Sequence, residues 1–174
     1  VNWTDLLRSE IESTYKATEG LLDFVDERNL GWKPATGTNW MTTGQLLHHL
    51  PEACGLLCRG FVTGVWPMPE GMTPADMKPE EMLPPAEAMA TATSVAAVRE
   101  ALEKDKQVAL DMVFEAGEEN LANQDTFAPW DPDHPMKLGQ RLLHMVGHLS
   151  QHKAQLFYYL KLQGKPVNTW NLYG

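Results

Sequence analysis

The sequence predicts an all-α fold, a four-helix bundle in up-down-down-up order with a long Pro/Met-rich crossover between its second and third helices. Three observations carry that expectation. Four stretches repeat apolar residues at three- and four-residue steps, the helical period. No stretch shows a strand pattern that competes with them. Clusters of proline and glycine separate the stretches. The 174 residues fit one domain spanning 1–174.

The first helix is expected from about Thr4 to Arg28, with Leu7, Ile11, Tyr15, Leu21, Leu22 and Val25 as its stripe. Asn2 or Thr4 can cap its start, and Asn29 with Gly31 can end it. The short linker after it makes helices one and two antiparallel neighbours. The second helix opens at Thr42 or Thr43 and continues through Phe61. The connection Trp66–Ala90 holds six prolines and five methionines, which forbids a continuous helix. A connection of that length is usually functional or mobile, and it permits a crossover that leaves helices two and three parallel. The third helix runs from about Ser94 to Ala116, and a Pro-rich turn closes the linker that follows. The fourth runs from about Met136 to Gln163, ended by Gly164 with Pro166 beyond. The aromatic tail is expected to pack back on the bundle.

Charge excludes two classes of partner. A net charge of −9 argues against nucleic acid, whose phosphates demand a concentrated basic surface, and against anionic lipid. No apolar run reaches the ~20 residues a membrane span needs. The charged N-terminus lacks the apolar core of a signal peptide, so a cytoplasmic location is expected. Cys54 and Cys58, four residues apart on one expected helix, read as small reduced core side chains.

Chemistry concentrates in the histidines. His48 and His49 sit in TTGQLLHHLPEA, His144, His148 and His152 in LLHMVGHLSQHKAQLFYYL, and His134 in a turn. Imidazoles four apart on a helix can converge on one metal ion. His144 and His152 are ~12 Å apart along the axis, too far for a shared ion, so the fourth helix offers one pair. Angular counting places His49 about 90° from the centre of its apolar stripe and His48 about 170° away. On the fourth helix His152 lies about 70° off the stripe, His148 about 110° and His144 about 150°. His148 and His152 are therefore the inward pair, and His49 borders the core. His48, His134 and His144 read as solvated or capping residues, and the carboxylates of Glu80–Glu81, Glu118–Glu119 and Asp131–Asp133 as solvated charge. Six tryptophans near element ends could close the bundle, and the methionines of the connection could line a pliable pocket.

Three stretches resemble the DinB-like superfamily, which includes the proteins named after YfiT. NWMTTGQLLHHLPEA is similar to that family's Trp-Ser/Thr-x-x-x-Leu-x-x-His-Leu helix start. HLSQHKAQLFYYLKLQG is similar to its His-x3-His-Arg-Gly-Gln-x3-Tyr-Leu-x3-Gly helix, with Lys153 in place of Arg and Ala154 in place of Gly. VNTWNLYG is similar to the endings of some members. The resemblance implies an up-down-down-up bundle, often a homodimer, holding a divalent metal ion (zinc or nickel) on three histidines. Residue by residue these fall on His49, His148 and His152, with adjacent His48 leaving the first ligand open. It also implies a metal-dependent thiol transferase or isomerase acting on a small-molecule substrate with a low-molecular-weight thiol, of which the S-transferase is the favoured reading. A metal-dependent hydrolase is the alternative, and a non-catalytic bundle that binds metal or a small ligand is the other. His144, one turn before His148, is a candidate outer proton carrier.

Overall fold

The computed structural model describes residues 2–68, 72, 76–78 and 85–174. Asn2 caps the first helix by accepting the Asp5 N–H at 2.8 Å, and α1 spans Trp3–Leu22. Glu118 reinforces that start, its carboxylate taking the N–H groups of Trp3 and Thr4 at 3.0 Å. An anion at a helix start meets orphan donors and the positive end of the dipole. Glu118 is therefore a cap, where the sequence suggested only solvated charge. The helix stops a turn and a half before the expected Arg28. Three-residue hydrogen bonds at Phe24 and Val25 tighten its end, and Asp26 caps a separate 3-10 turn at Glu27–Asn29.

The expected second helix is broken. Thr42 and Gln45 form a reciprocal capping box, so α2 begins at Thr43, but it closes at His49. Pro51 lacks an N–H, and the chain tightens into a 3-10 turn at Leu50–Glu52. Helix α3 then restarts over Gly55–Thr63 and ends on Gly64, whose φ of +75° is the left-handed conformation that glycine adopts freely. The apolar stripe survives the break, with Leu46, Leu47, Leu50, Ala53, Cys54 and Cys58 all fully buried. Both cysteines are free thiols.

Asp105 repairs the new helix start. Its carboxylate accepts the Gly55 N–H at 2.9 Å, the Leu56 N–H at 2.8 Å and the Tyr15 hydroxyl at 2.5 Å. A Cβ at Gly55 would stand 2.0 Å from the Asp105 carbonyl oxygen, so only glycine lets the two chains approach this closely. Asp105 belongs to α4, Val95–Asn123, which Ser94 caps and which carries a non-helical residue at Gly117. The expected end at Ala116 marks that interruption.

The linker expected to be a Pro-rich turn forms a hairpin instead. Strand β1, Asp125–Ala128, pairs antiparallel with β2, Asp131–Lys137, with a bulge between Thr126 and Ala128. The purely α expectation is corrected accordingly: the fold is mostly helical with one two-stranded sheet. Helix α5 follows over Leu138–Leu162, and Gly164 at φ +73° stops it. The tail forms α6, Thr169–Tyr173, which packs against α1 and α5. Its Leu172 docks on the core, whereas Trp170 and Tyr173 stay exposed.

Helix α4 packs on α1, α3 and α5, and α5 also packs on α1 and α3, around one continuous cluster of buried residues. The middle of the Trp66–Ala90 connection lies largely outside the described residues, as do Glu80 and Glu81. Its two ends are fixed. Trp66 packs edge-on against Phe61 and Trp130, and Gln45 Nε2 donates to the Met89 carbonyl at 2.9 Å. No helix among the described residues is long and apolar enough to cross a membrane.

Candidate metal centre

His49 is the last residue of α2, and His148 and His152 lie one turn apart on α5. The fold brings all three to one point. One nitrogen from each lies within 4.8 Å of the others, and the ring centroids are 4.6 to 5.3 Å apart. His148 Nε2 and His152 Nε2 are 2.9 Å apart. A tetrahedral ion with bonds near ~2.1 Å sets its ligand nitrogens ~3.4 Å apart, so small side-chain movements suffice to seat one.

The electrostatics suit a cation as well. Burial lowers the His148 pKa, with the neighbouring His49 adding to the effect. Burial likewise pushes His152 down to about 4, helped by His49 and His148 against an opposing hydrogen bond from Gln155. Both rings are thus neutral at pH 7, the state that donates a lone pair to a metal. His148 Nδ1 lies 3.1 Å from the Ala53 carbonyl oxygen, which can only accept. Nδ1 therefore carries the proton and the inward Nε2 is bare. That oxygen is free because of the Pro51 break: the first bond of α3 runs from the Cys58 N–H to the Cys54 carbonyl, one residue later. The donor set, the neutrality of its two α5 rings and this outer support fit a divalent ion held by imidazole.

Beside the histidines opens a cleft of about 860 Å³. Trp40, Met41, Leu57, Met89, Trp130 and Met145 supply apolar wall, and Glu52 is the carboxylate among its described lining residues. Glu52 Oε2 stands 3.8 Å from His49 Nδ1, and Oε1 stands 3.5 Å from His48 Nε2. Pro67, Ala86 and Met89 bring both ends of the Trp66–Ala90 connection to the rim.

The sequence model of the DinB superfamily matches residues 10–156. The chain belongs to the DinB superfamily. A crystal structure presented as that of a candidate DinB-family member from Exiguobacterium sibiricum 255-15 superposes with a TM-score of 0.64. The two chains are 18% identical, and the alignment covers 98% of each. That likeness concerns the fold. No curated protein matches the chain.

Within this DinB-superfamily chain the remaining histidines stand apart from the cluster. His48 faces a separate groove beside α4, and His144 is exposed and outside the cleft lining. His134 is exposed and paired with Asp131 at 2.5 Å, which raises its pKa. Lys153, which stands where the resembled helix has Arg, is buried and donates to the Leu172 carbonyl at 2.7 Å, tying α5 to the tail. Sequence reading gave no role to Ala53, Gln155 or Tyr159, although the last two fall on the Gln and Tyr of the resembled helix. Gln155 and Tyr159 carried a local signal, since both continue the run of four- and three-residue steps that begins at His148. Ala53 carried none, because its role rests on the break at Pro51.

Proposed function

We propose that this chain is a divalent-metal-dependent enzyme of thiol S-transferase type, with His49, His148 and His152 as metal ligands. The observation that carries the proposal is the convergence of three imidazoles at the wall of an apolar cleft. Structural zinc sites are usually closed by four protein ligands, whereas three leave a position for substrate. When bound there, the ion supplies Lewis acidity that makes a thiol ionise at neutral pH. The chain's own residues do the rest. His148 is held in one tautomer by Ala53, and Glu52 is placed to take the released proton. Trp40, Trp130 and the methionines hold the apolar body of a small electrophile and exclude water.

The same reading takes residues 1–174 as one domain, a four-helix bundle in up-down-down-up order with α2 and α3 as one broken arm. It further takes the protein as a cytoplasmic homodimer holding zinc or nickel. The test is conjugation of low-molecular-weight thiols to model electrophiles, comparing apo protein, metal-loaded protein and the His152→Ala variant. Metal-dependent conjugation lost in the variant supports the proposal. Metal-dependent ester or amide cleavage without thiol would favour the hydrolase, and metal binding with neither activity would favour a binding protein.

A further inference from the structure

The described molecule offers, beyond the three histidines, a hydrogen-bonded chain that ends on one of them. Tyr159 is almost fully buried, and its hydroxyl lies 2.9 Å from the Met41 carbonyl oxygen. A carbonyl oxygen only accepts, so the hydroxyl proton is committed to it. The phenolic oxygen then accepts, and Gln155 Nε2 donates to it at 3.1 Å. That fixes which end of the Gln155 amide faces which way. Its Oε1 is left 3.1 Å from His152 Nδ1 and must accept from it. His152 therefore carries its proton on Nδ1, as His148 does opposite Ala53, and two bare Nε2 lone pairs face each other at 2.9 Å. Neutral rings in that arrangement repel unless a cation lies between them.

We infer that Gln155 and Tyr159 are positioning residues that lock His152 into its metal-accepting tautomer, so that the two neutral rings cannot form an N–H···N hydrogen bond with each other and their facing lone pairs are left for a cation. The inference rests on the metal reading above. It adds a link between the site and its cleft, because the chain ends on the carbonyl of Met41, a cleft-wall residue beside Trp40. Trp32 and Trp40 pack edge-on to the Tyr159 ring and hold the phenol in place.

Two measurements test it. The first is ¹⁵N NMR of the histidine rings in the apo protein at pH 7, which separates the two tautomers without any metal. His152 is expected as Nδ1–H in the parent and substantially as Nε2–H in Gln155→Leu. The second is cobalt(II) affinity by competition with a chromophoric chelator. Removing the outer partner of a ligating histidine typically costs ~10–100-fold, expected for Gln155→Leu. Gln155→Glu keeps the acceptor and should stay within about threefold of the parent, while Tyr159→Phe should fall between the two. The exposed neighbour substitution Tyr158→Phe should change nothing. A parent His152 found as Nε2–H, or a Gln155→Leu affinity within twofold of the parent, overturns the inference. A parent that binds no cobalt overturns the metal reading instead, and the NMR result still decides the tautomer. Gln155 is only half-buried, so its variants keep the test alive if Tyr159→Phe fails to fold.

Discussion

Asp105→Ala should destabilise the protein by about 3–5 kcal/mol, because it strands three donors at once. The Gly55 N–H and the Tyr15 hydroxyl are buried, and the Leu56 N–H is partly so. Each buried donor left without a partner costs ~1–3 kcal/mol, and the partly exposed one less, since water can reach it. Water entering the space left by the carboxylate keeps the sum near the lower half of the simple total. Against the ~5–15 kcal/mol that holds a typical domain together, that is a large fraction. At ~2–4 °C per kcal/mol for a chain of this size, the melting midpoint should fall by roughly 6–20 °C.

The assay is urea unfolding of the apo protein, with Tyr15→Phe and the double variant alongside. Tyr15→Phe removes one donor and leaves Asp105 its two backbone partners, so it should cost only ~1–2 kcal/mol. In the double variant the costs should not add. Once Asp105 is gone the Tyr15 hydroxyl is already orphaned, and removing it recovers part of the loss. Additive losses, or an Asp105→Ala cost below ~1 kcal/mol, would refute the claim that this carboxylate holds the start of α3.

Three further outcomes are expected. His49→Ala, His148→Ala and His152→Ala should each abolish tight metal retention, while His48→Ala leaves it unchanged, as read by metal analysis of protein purified without a nickel column. Apo-protein stability should fall as pH drops from the ordinary histidine value of ~6.5 toward about 4, because the unfolded chain takes up protons there that buried His148 and His152 refuse, and His152→Ala should flatten that slope in pH-dependent unfolding. Lys153→Met should release α6 by deleting its bond to the Leu172 carbonyl, seen as faster proteolysis after Val167 with little change in metal affinity.

The helix periods and their caps were legible because they are local. Asn2, Thr42, Ser94 and Gly164 act where the sequence placed the helix boundaries. The facing of His49, His148 and His152 was legible too, since a helix converts spacing into angle and the apolar stripe points to the core. Three features were not. Residues 42–61 carry one unbroken stripe, so periodicity hides the interruption at Pro51. The hairpin at 125–137 lacks the β-branched alternation of a strand, and its pairing rests on contacts such as the Thr126 hydroxyl on the Met136 carbonyl at 2.9 Å. Asp105 serves donors 49 to 90 residues away along the chain, a distance over which no local pattern speaks.

The break in the second helix is the feature that ties fold to site. Interrupting a helix with proline costs ~3 kcal/mol or more, so the interruption must be held by contacts elsewhere. It exposes two kinds of orphan, the donors that open α3 and the acceptor at Ala53. Asp105 takes the donors and His148 Nδ1 takes the acceptor. An unbroken helix would commit the Ala53 carbonyl to the backbone four residues on and leave His148 without its outer partner. The same interruption sets Glu52 in the turn between the two segments, at the cleft rather than along a helix face. Asp105→Ala thus has a second expected effect, a weaker hold on His148 through a displaced Ala53. Metal affinity should fall in that variant even at temperatures where it is fully folded, and an unchanged affinity would show that the two ends of the break act independently.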